Sequence, residues 1–176
     1  MIYAYRKESS IGELLLASDE KSLVGLWIRG QKHFAEGYQK KMAEVAEGEL
    51  KRFPALADTS RWLDIYFCGQ DPGYIPLLAP KATVFQRNVW DFLLTIPFGH
   101  TVTYGEIARH LGERFGKPVS PRAVGGAVSH NPISLIIPCH RVVGAGGRLT
   151  GYAGGIENKI KLLELEYNAV NKKSDF

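Results

Sequence analysis

Three helix-start signals crowd into the second half of this sequence. Thr83 stands three positions before Gln86, Thr103 three before Glu106, and Ser120 directly before Pro121. A Ser or Thr at the N-cap accepts a bond from a backbone N–H that the helix leaves unpaired, and a Gln or Glu three residues on can return it. Proline suits the first helical position, where its missing N–H costs nothing. After the first signal, Val84, Phe85, Val89, Trp90, Phe92, Leu93 and Ile96 recur at helical spacing up to Pro97. The second signal opens a short helix from Tyr104 to Leu111, and the third opens one over Arg122 to His130. Two short helices joined by a brief polar loop make a helix-turn-helix candidate. A last amphipathic helix is predicted from Ile156 to Tyr167, with Ile156, Ile160, Leu162, Leu163 and Leu165 set among Lys and Glu. Lys172, Lys173 and the residues beyond them are expected to be a loose tail.

The first half is built differently. Apolar runs cover residues 2–6, Leu14 to Ala17, and Leu23 to Ile28, and the polar turn Ser18-Asp19-Glu20-Lys21 makes the last two a predicted hairpin. Gln31 to Phe53 is mostly polar with helical composition, though Gly37 and Gly48 weaken that reading. Arg61 to Cys68 reads as a short helix. Gly69 to Lys81 holds three prolines and two glycines without periodicity, which suits a linker. The expected organisation is an N-terminal domain with its linker over 1–80, a second domain over 81–170, and a tail at 171–176.

Composition sets wide bounds. With 45% hydrophobic and 23% charged residues the chain reads as a folded globular protein, not a disordered one. Lys and Arg outnumber Asp and Glu by 22 to 18, a net charge of +4 that permits a polyanionic partner without demanding one. Arg6, Lys7 and Glu8 break up the N-terminus before any secretory signal develops, and no apolar run is long enough for a membrane. Cys68 and Cys139 are too few for a disulfide framework or a thiolate zinc site, so free thiols in a reducing, cytoplasmic setting are expected.

Two stretches carry chemistry. The helix Arg122-Ala-Val-Gly-Gly-Ala-Val-Ser-His130 places small residues where a major-groove reader carries long polar ones. Adjacent glycines inside a helix cost roughly 1 kcal/mol each. Either a neighbouring helix packs tightly there or a DNA backbone presses against it. The second stretch runs from Asn131 to Val143. Cys139 follows Pro138 and sits beside His140 and Arg141, two groups able to lower a thiol's pKa. By itself this pattern leaves a structural cysteine, a nucleophile and a metal ligand all open. Adjacent side chains on an extended segment point to opposite sides, so a proton passing between Cys139 and His140 would travel through water, unlike a protease dyad. His33, His100, His110 and His130 show no ligand spacing with either cysteine, and no metal is expected.

Pro138-Cys-His-Arg-Val-Val143 resembles the active-site signature of the O6-alkylguanine-DNA alkyltransferases, the methylated-DNA–protein-cysteine methyltransferases. The likeness spans about Thr83 to Glu166 and keeps its motifs in order: Ile96-Pro-Phe-Gly99, Thr103-Tyr104-Gly105, Pro121-Arg-Ala-Val-Gly-Gly-Ala127, Asn131-Pro132, the cysteine motif, and Gly151-Tyr-Ala-Gly-Gly155. Only the length and position of the first 80 residues fit the family's first domain.

The resemblance implies an α+β protein: a ribonuclease-H-like N-terminal unit with a small sheet and helices, then a mostly helical winged-helix-like domain built on the helix-turn-helix. It implies direct reversal of damage, in which the alkyl group of O6-alkylguanine in double-stranded DNA, with O4-alkylthymine left open as a second substrate, passes irreversibly to Cys139 after the base is flipped. It makes His140 and Glu166 a relay to the thiol, Tyr104 a proton donor to the departing base, and Asn131 a tie on the segment before Cys139. It makes Arg122 the residue that fills the gap left by the flipped nucleotide, and Ala123, Gly125 and Gly126 the small face in the minor groove. Pro138, Val143, Tyr152, Ala153 and Gly154 would line the pocket, with Ala153 standing where many members carry serine. No cofactor is implied, and no membrane partner. A monomer is expected, with cooperative assembly on DNA left open, in the cytoplasm or on the nucleoid. Three rivals make different demands: a lesion-binding relative would lack Cys139, a transcription factor would need long polar residues on its reading helix, and a cysteine hydrolase would turn over.

Overall fold

Asp19 closes the hairpin expected around it. Its Oδ1 accepts from the backbone N–H of Lys21 at 2.8 Å and of Ser22 at 2.7 Å. The computed structural model describes residues 1–38 and 42–172. Ile2–Lys7 (β1), Leu14–Ser18 (β2) and Leu23–Ile28 (β3) pair antiparallel in sequence, and Met42–Glu44 (β4) joins β1 in parallel, for the order β3-β2-β1-β4. Every residue of β2 and β3 is buried, so both faces of these strands are covered. Leu15, Ala17 and Trp27 share one face in a cluster with Ala4, Val24, Ala35 and Tyr38. Leu14, Leu16, Leu26 and Ile28 alternate onto the other face, where the helix Pro54–Phe67 (α1) packs. Gly25 is required by its neighbour: a Cβ there would run into the six-membered ring of Trp27.

The chain divides into two compact units, one of Met1–Lys81 with Pro132–Ser134 and one of Ala82–Asn131 with Leu135–Phe176. In the first, the outer edge of β3 is closed by extended segments. Leu23 exchanges bonds with Leu77 and Ala79, each 2.8 Å, and Leu26 bonds the Pro132 carbonyl at 2.8 Å and the Ser134 N–H at 2.9 Å. The linker predicted over residues 69–81 is therefore partly a strand-like edge cover.

The helix predicted over Gln31 to Phe53 does not form where the residues are described. His33, Ala35 and Gly37 take φ of 57°, 50° and 82°, a left-handed backbone no right-handed helix can hold. The segment instead yields turns, β4, and a 3₁₀ turn at Glu47–Arg52. The predicted helix at Arg61 to Cys68 is the second half of α1, which starts earlier because Pro54 occupies its first turn.

The second unit follows its capping signals. Val84–Leu93 (α2) and Tyr104–Phe115 (α3) both carry complete capping boxes, from Thr83 with Gln86 and from Thr103 with Glu106. Val102–Thr103 (β5) leads into α3, and Pro121–Ser129 (α4) is capped by the Ser120 hydroxyl, which accepts from Ala123 N–H at 3.1 Å. The α2 helix stops short of Ile96 in a turn, while α3 runs one turn past Leu111 to a left-handed cap at Gly116. Val142–Val143 (β6) pairs in parallel with β5, and Ile156–Lys172 (α5) closes the unit. Asn171 and Lys172 thus belong to a helix and not to the expected tail, whose other members, 173–176, lie outside the described residues.

Candidate active site

The segment that delivers Cys139 is tied down at both ends. Asn131 follows α4 closely, and its Nδ2 donates to the Ile137 carbonyl at 2.8 Å, closing a loop around residues 132–136. Pro138 then sits at φ −81°, ψ 66°, with the Cys139 N–H on the Ile137 carbonyl at 2.8 Å, the geometry of an inverse γ-turn that proline's ring favours. Cys139, His140 and Arg141 make one 3₁₀ turn, all three buried. Cys139 and His140 therefore stand in a tight turn and not in the extended segment expected from the sequence. The turn feeds β6, whose pairing with β5 brings it alongside the start of α3, where Tyr104 stands half-buried.

His140 is fully buried, and its Nε2 lies 2.6 Å from Oε1 of Glu166, itself buried on α5. The same carboxylate accepts from Gly99 N–H at 2.9 Å and from Arg141 Nε at 2.9 Å, with a further guanidinium contact at 3.1 Å. Burial alone would push Glu166 up, but the hydrogen bonds and charges of His140 and Arg141 outweigh it and hold the carboxyl at about 2. An ionised carboxylate can only accept, so Nε2 of His140 carries a proton, and in the neutral ring Nδ1 is then the basic nitrogen. Burial lowers the His140 pKa, against the opposing pull of Glu166. The glutamate two residues earlier, Glu164, is exposed.

Burial pushes the Cys139 thiol up, and the groups that oppose it are not the ones expected. His140 and Arg141 are both turned to Glu166. Hydrogen bonds with Asn131 and Tyr152 and the charge of Lys159 favour the thiolate instead. Lys159 escapes a reading of the sequence because a lysine on an amphipathic helix ordinarily faces water. It is fully buried, with Nζ on the carbonyls of Val142 at 2.5 Å and Thr150 at 3.3 Å. A signal existed: Lys159, Leu162 and Glu166, the buried residues of α5, are spaced three and then four apart, one stripe of the helix. Tyr104 has its hydroxyl pKa raised by burial, with Thr150 acting against this and the nearby Cys139 adding to it.

Residues 84–168 match the family described as 6-O-methylguanine DNA methyltransferase, DNA binding domain, and residues 1–72 match its ribonuclease-like domain. The chain belongs to the 6-O-methylguanine DNA methyltransferase family. A methylated-DNA–protein-cysteine methyltransferase of Methanosarcina acetivorans is 45% identical over 159 residues, 90% of this chain and 94% of that protein. One from Mycobacterium leprae is 42% identical over 170 residues, 97% of this chain and 95% of its own. The crystal structure of Mycobacterium tuberculosis OGT in complex with DNA superposes with a TM-score of 0.81 at 38% identity, covering 95% of this chain and 94% of that one. The expected α+β architecture, a small-sheet unit followed by a helical DNA-binding unit, is thereby established.

The remaining residues of this methyltransferase singled out by sequence lie in the same unit. Val143 is buried in β6, Pro138 is buried, and Tyr152, Ala153 and Gly154 are partly exposed on the loop before α5. That loop is anchored at its end, where Asn158 Nδ2 bonds the Gly154 carbonyl at 2.9 Å. On α4, Arg122, Ala123 and Gly126 are exposed. A Cβ on Gly126 would meet nothing within 4 Å, and one on Gly125 would touch only the Tyr104 ring at 3.8 Å, an ordinary contact. Packing against a neighbouring helix is thus excluded as the reason for Gly126. Among the described residues no cluster of three or more His, Cys, Asp or Glu could hold a metal ion, and no helix is long and apolar enough to cross a membrane.

Proposed function

We propose that this protein repairs DNA by direct reversal, taking the alkyl group from O6 of a guanine in duplex DNA onto Sγ of Cys139. The observation that carries the reading is the buried Cys139 turn, with His140 held by Glu166 on one side and Tyr104 at the head of α3 on the other. His140 Nδ1 takes the thiol proton through a water, and the thiolate attacks the alkyl carbon in line with the C–O6 bond. As the S–C bond forms and the C–O6 bond breaks, Tyr104 gives its proton to the departing guanine, and His140 restores it in turn. The product thioether has no bond that water breaks at neutral pH, so each protein acts once. No cofactor enters these steps.

Asn131 holds the approach to Cys139, while Pro138, Val143, Tyr152, Ala153 and Gly154 line the space for the base. The small face of Ala123, Gly125 and Gly126 lies against the minor groove, and Arg122 takes the place of the flipped nucleotide. Minor-groove contact reads sequence poorly, which suits a protein that must find damage anywhere. All these residues belong to one chain, so a monomer suffices, working where the DNA is, in the cytoplasm or on the nucleoid.

Intact-protein mass after incubation with a duplex bearing O6-methylguanine tests the reading. The expected result is a gain of one methyl per protein, never exceeded however much duplex is added. Tight binding without any gain would leave a lesion-binding protein in place of a transferase.

The α4 glycines give a separate test. Gly126→Ala should stabilise the fold by about 1 kcal/mol, because alanine is the better helix former and its Cβ enters open space. It should also weaken duplex binding, since the same Cβ faces the groove. A Gly126→Ala protein that binds duplex as tightly as the wild type would remove α4 from the DNA face.

A further inference from the structure

Arg141 stands in the cysteine motif but touches neither the thiol nor the open face of the site. Its guanidinium is buried between two elements of the second unit. Nη1 donates to the Ile96 carbonyl at 2.7 Å, Cζ lies 5.7 Å from the centre of the Phe98 ring, and Nε and Nη2 grip both oxygens of Glu166. The turn that receives Arg141 also supplies Gly99 N–H to Glu166, and a side chain at Gly99 would run into Val170 at 2.5 Å. Ile96 to Gly99 is therefore a bracket, and Arg141 bolts the carboxylate to it.

This changes what the carboxylate can do for His140. A buried Glu facing a His alone favours the doubly charged pair, which would leave the ring protonated and useless as a base. A bidentate guanidinium on the same carboxylate removes that incentive. We propose that Arg141 is a positioning residue of the relay, which takes up the charge of Glu166 and keeps His140 neutral, with its proton on Nε2, until the thiol proton arrives. The other charged groups acting on His140 are Glu166 and Lys159, both from α5. Lys159 and Arg141 both disfavour the imidazolium, and Glu166 favours it. The resting site thus stores a neutral thiol and a neutral imidazole. When the proton moves from Sγ to Nδ1, the new thiolate faces the ammonium of Lys159 and the new imidazolium faces Glu166.

The inference rests on the reading of His140 as the base, but its first test does not depend on transfer. Ring ¹⁵N spectra of the wild-type protein should show His140 as the neutral Nε2–H tautomer at pH 7 and still neutral below the ordinary histidine value of about 6.5. An imidazolium at pH 7 overturns the proposal. Arg141→Gln, which keeps a hydrogen-bonding head without the charge, should raise the titration of His140 by about one pH unit or more. The acid limb of the methyl-transfer rate should move up by the same amount. Arg141→Lys, with the charge kept and the fork lost, should leave the titration near the wild type while slowing transfer. A glutamine variant that titrates like the wild type, or a lysine variant that shifts as far as glutamine, overturns the role. If the spectra behave as stated while the wild type gains no methyl, the proposed function fails and the charge arrangement stands.

Discussion

Cys139→Ala should end methyl transfer completely while leaving a folded protein that still binds the damaged duplex. In-line displacement at an alkyl carbon needs a strong nucleophile aimed at it, and no substitute lies near. The nearby phenol of Tyr104 is held protonated by burial, and the Lys159 ammonium is committed to two carbonyls. Cys68 is exposed at the end of α1 in the other unit. The structural cost is small: replacing a buried thiol by a methyl removes one atom, on the order of 1 kcal/mol. Peptide mapping after exposure to an O6-methylguanine duplex should find the wild-type methyl on Cys139 alone. Methyl found on Cys68, or persisting in the Cys139→Ala protein, would sink the assignment of the acceptor. Since the transferred group never leaves, the wild-type progress curve should stop at one equivalent, and the mutant curve should never start.

Much of this arrangement was legible before the structure, and the reasons differ from place to place. Both capping boxes and the serine cap formed as written, because each is a local exchange of hydrogen bonds complete within four residues. The hairpin at Asp19 was legible for the same reason. The helix expected after Gln31 does not form among the described residues, since polar composition says nothing about the left-handed backbone at His33 and Ala35. Leu77 to Ala79 could not be seen as an edge cover, because its partner Leu23 is more than fifty residues away in sequence. At the site, the cysteine motif and the match to Glu166 came from a resemblance, not from spacing. What escaped was the direction of side chains: that Arg141 turns from the thiol to the carboxylate, and that Lys159 turns inward. Both depend on a bracket at Ile96 to Gly99 and a helix face that only the folded unit brings together.

Glu166 is where stability and chemistry meet, and Glu166→Ala should be the most damaging single truncation outside the nucleophile. It leaves the Arg141 charge buried without its partner, a loss of about 3–5 kcal/mol for a broken buried pair. It also strips His140 Nε2 and Gly99 N–H of their acceptor. Glu166→Gln should be milder for the fold, because the amide oxygen still accepts, yet transfer should slow roughly a hundredfold as the imidazolium loses its anion. The acid limb of stability follows from the same group. Its folded pKa of about 2 lies below the unfolded value of 4.5, so the unfolded chain binds more protons between those limits and stability rises with pH there. The contribution, on the order of 3 kcal/mol, is complete above the unfolded value and lost as pH falls toward the folded one. His140, buried with its pKa lowered, adds a loss in the same direction that begins as pH drops below its unfolded value of 6.5. Urea unfolding midpoints measured from pH 7 down to pH 3 should therefore fall in the wild type and fall less steeply in Glu166→Gln. Equal slopes in the two proteins would mean that the carboxylate holds its site by shape and not by charge.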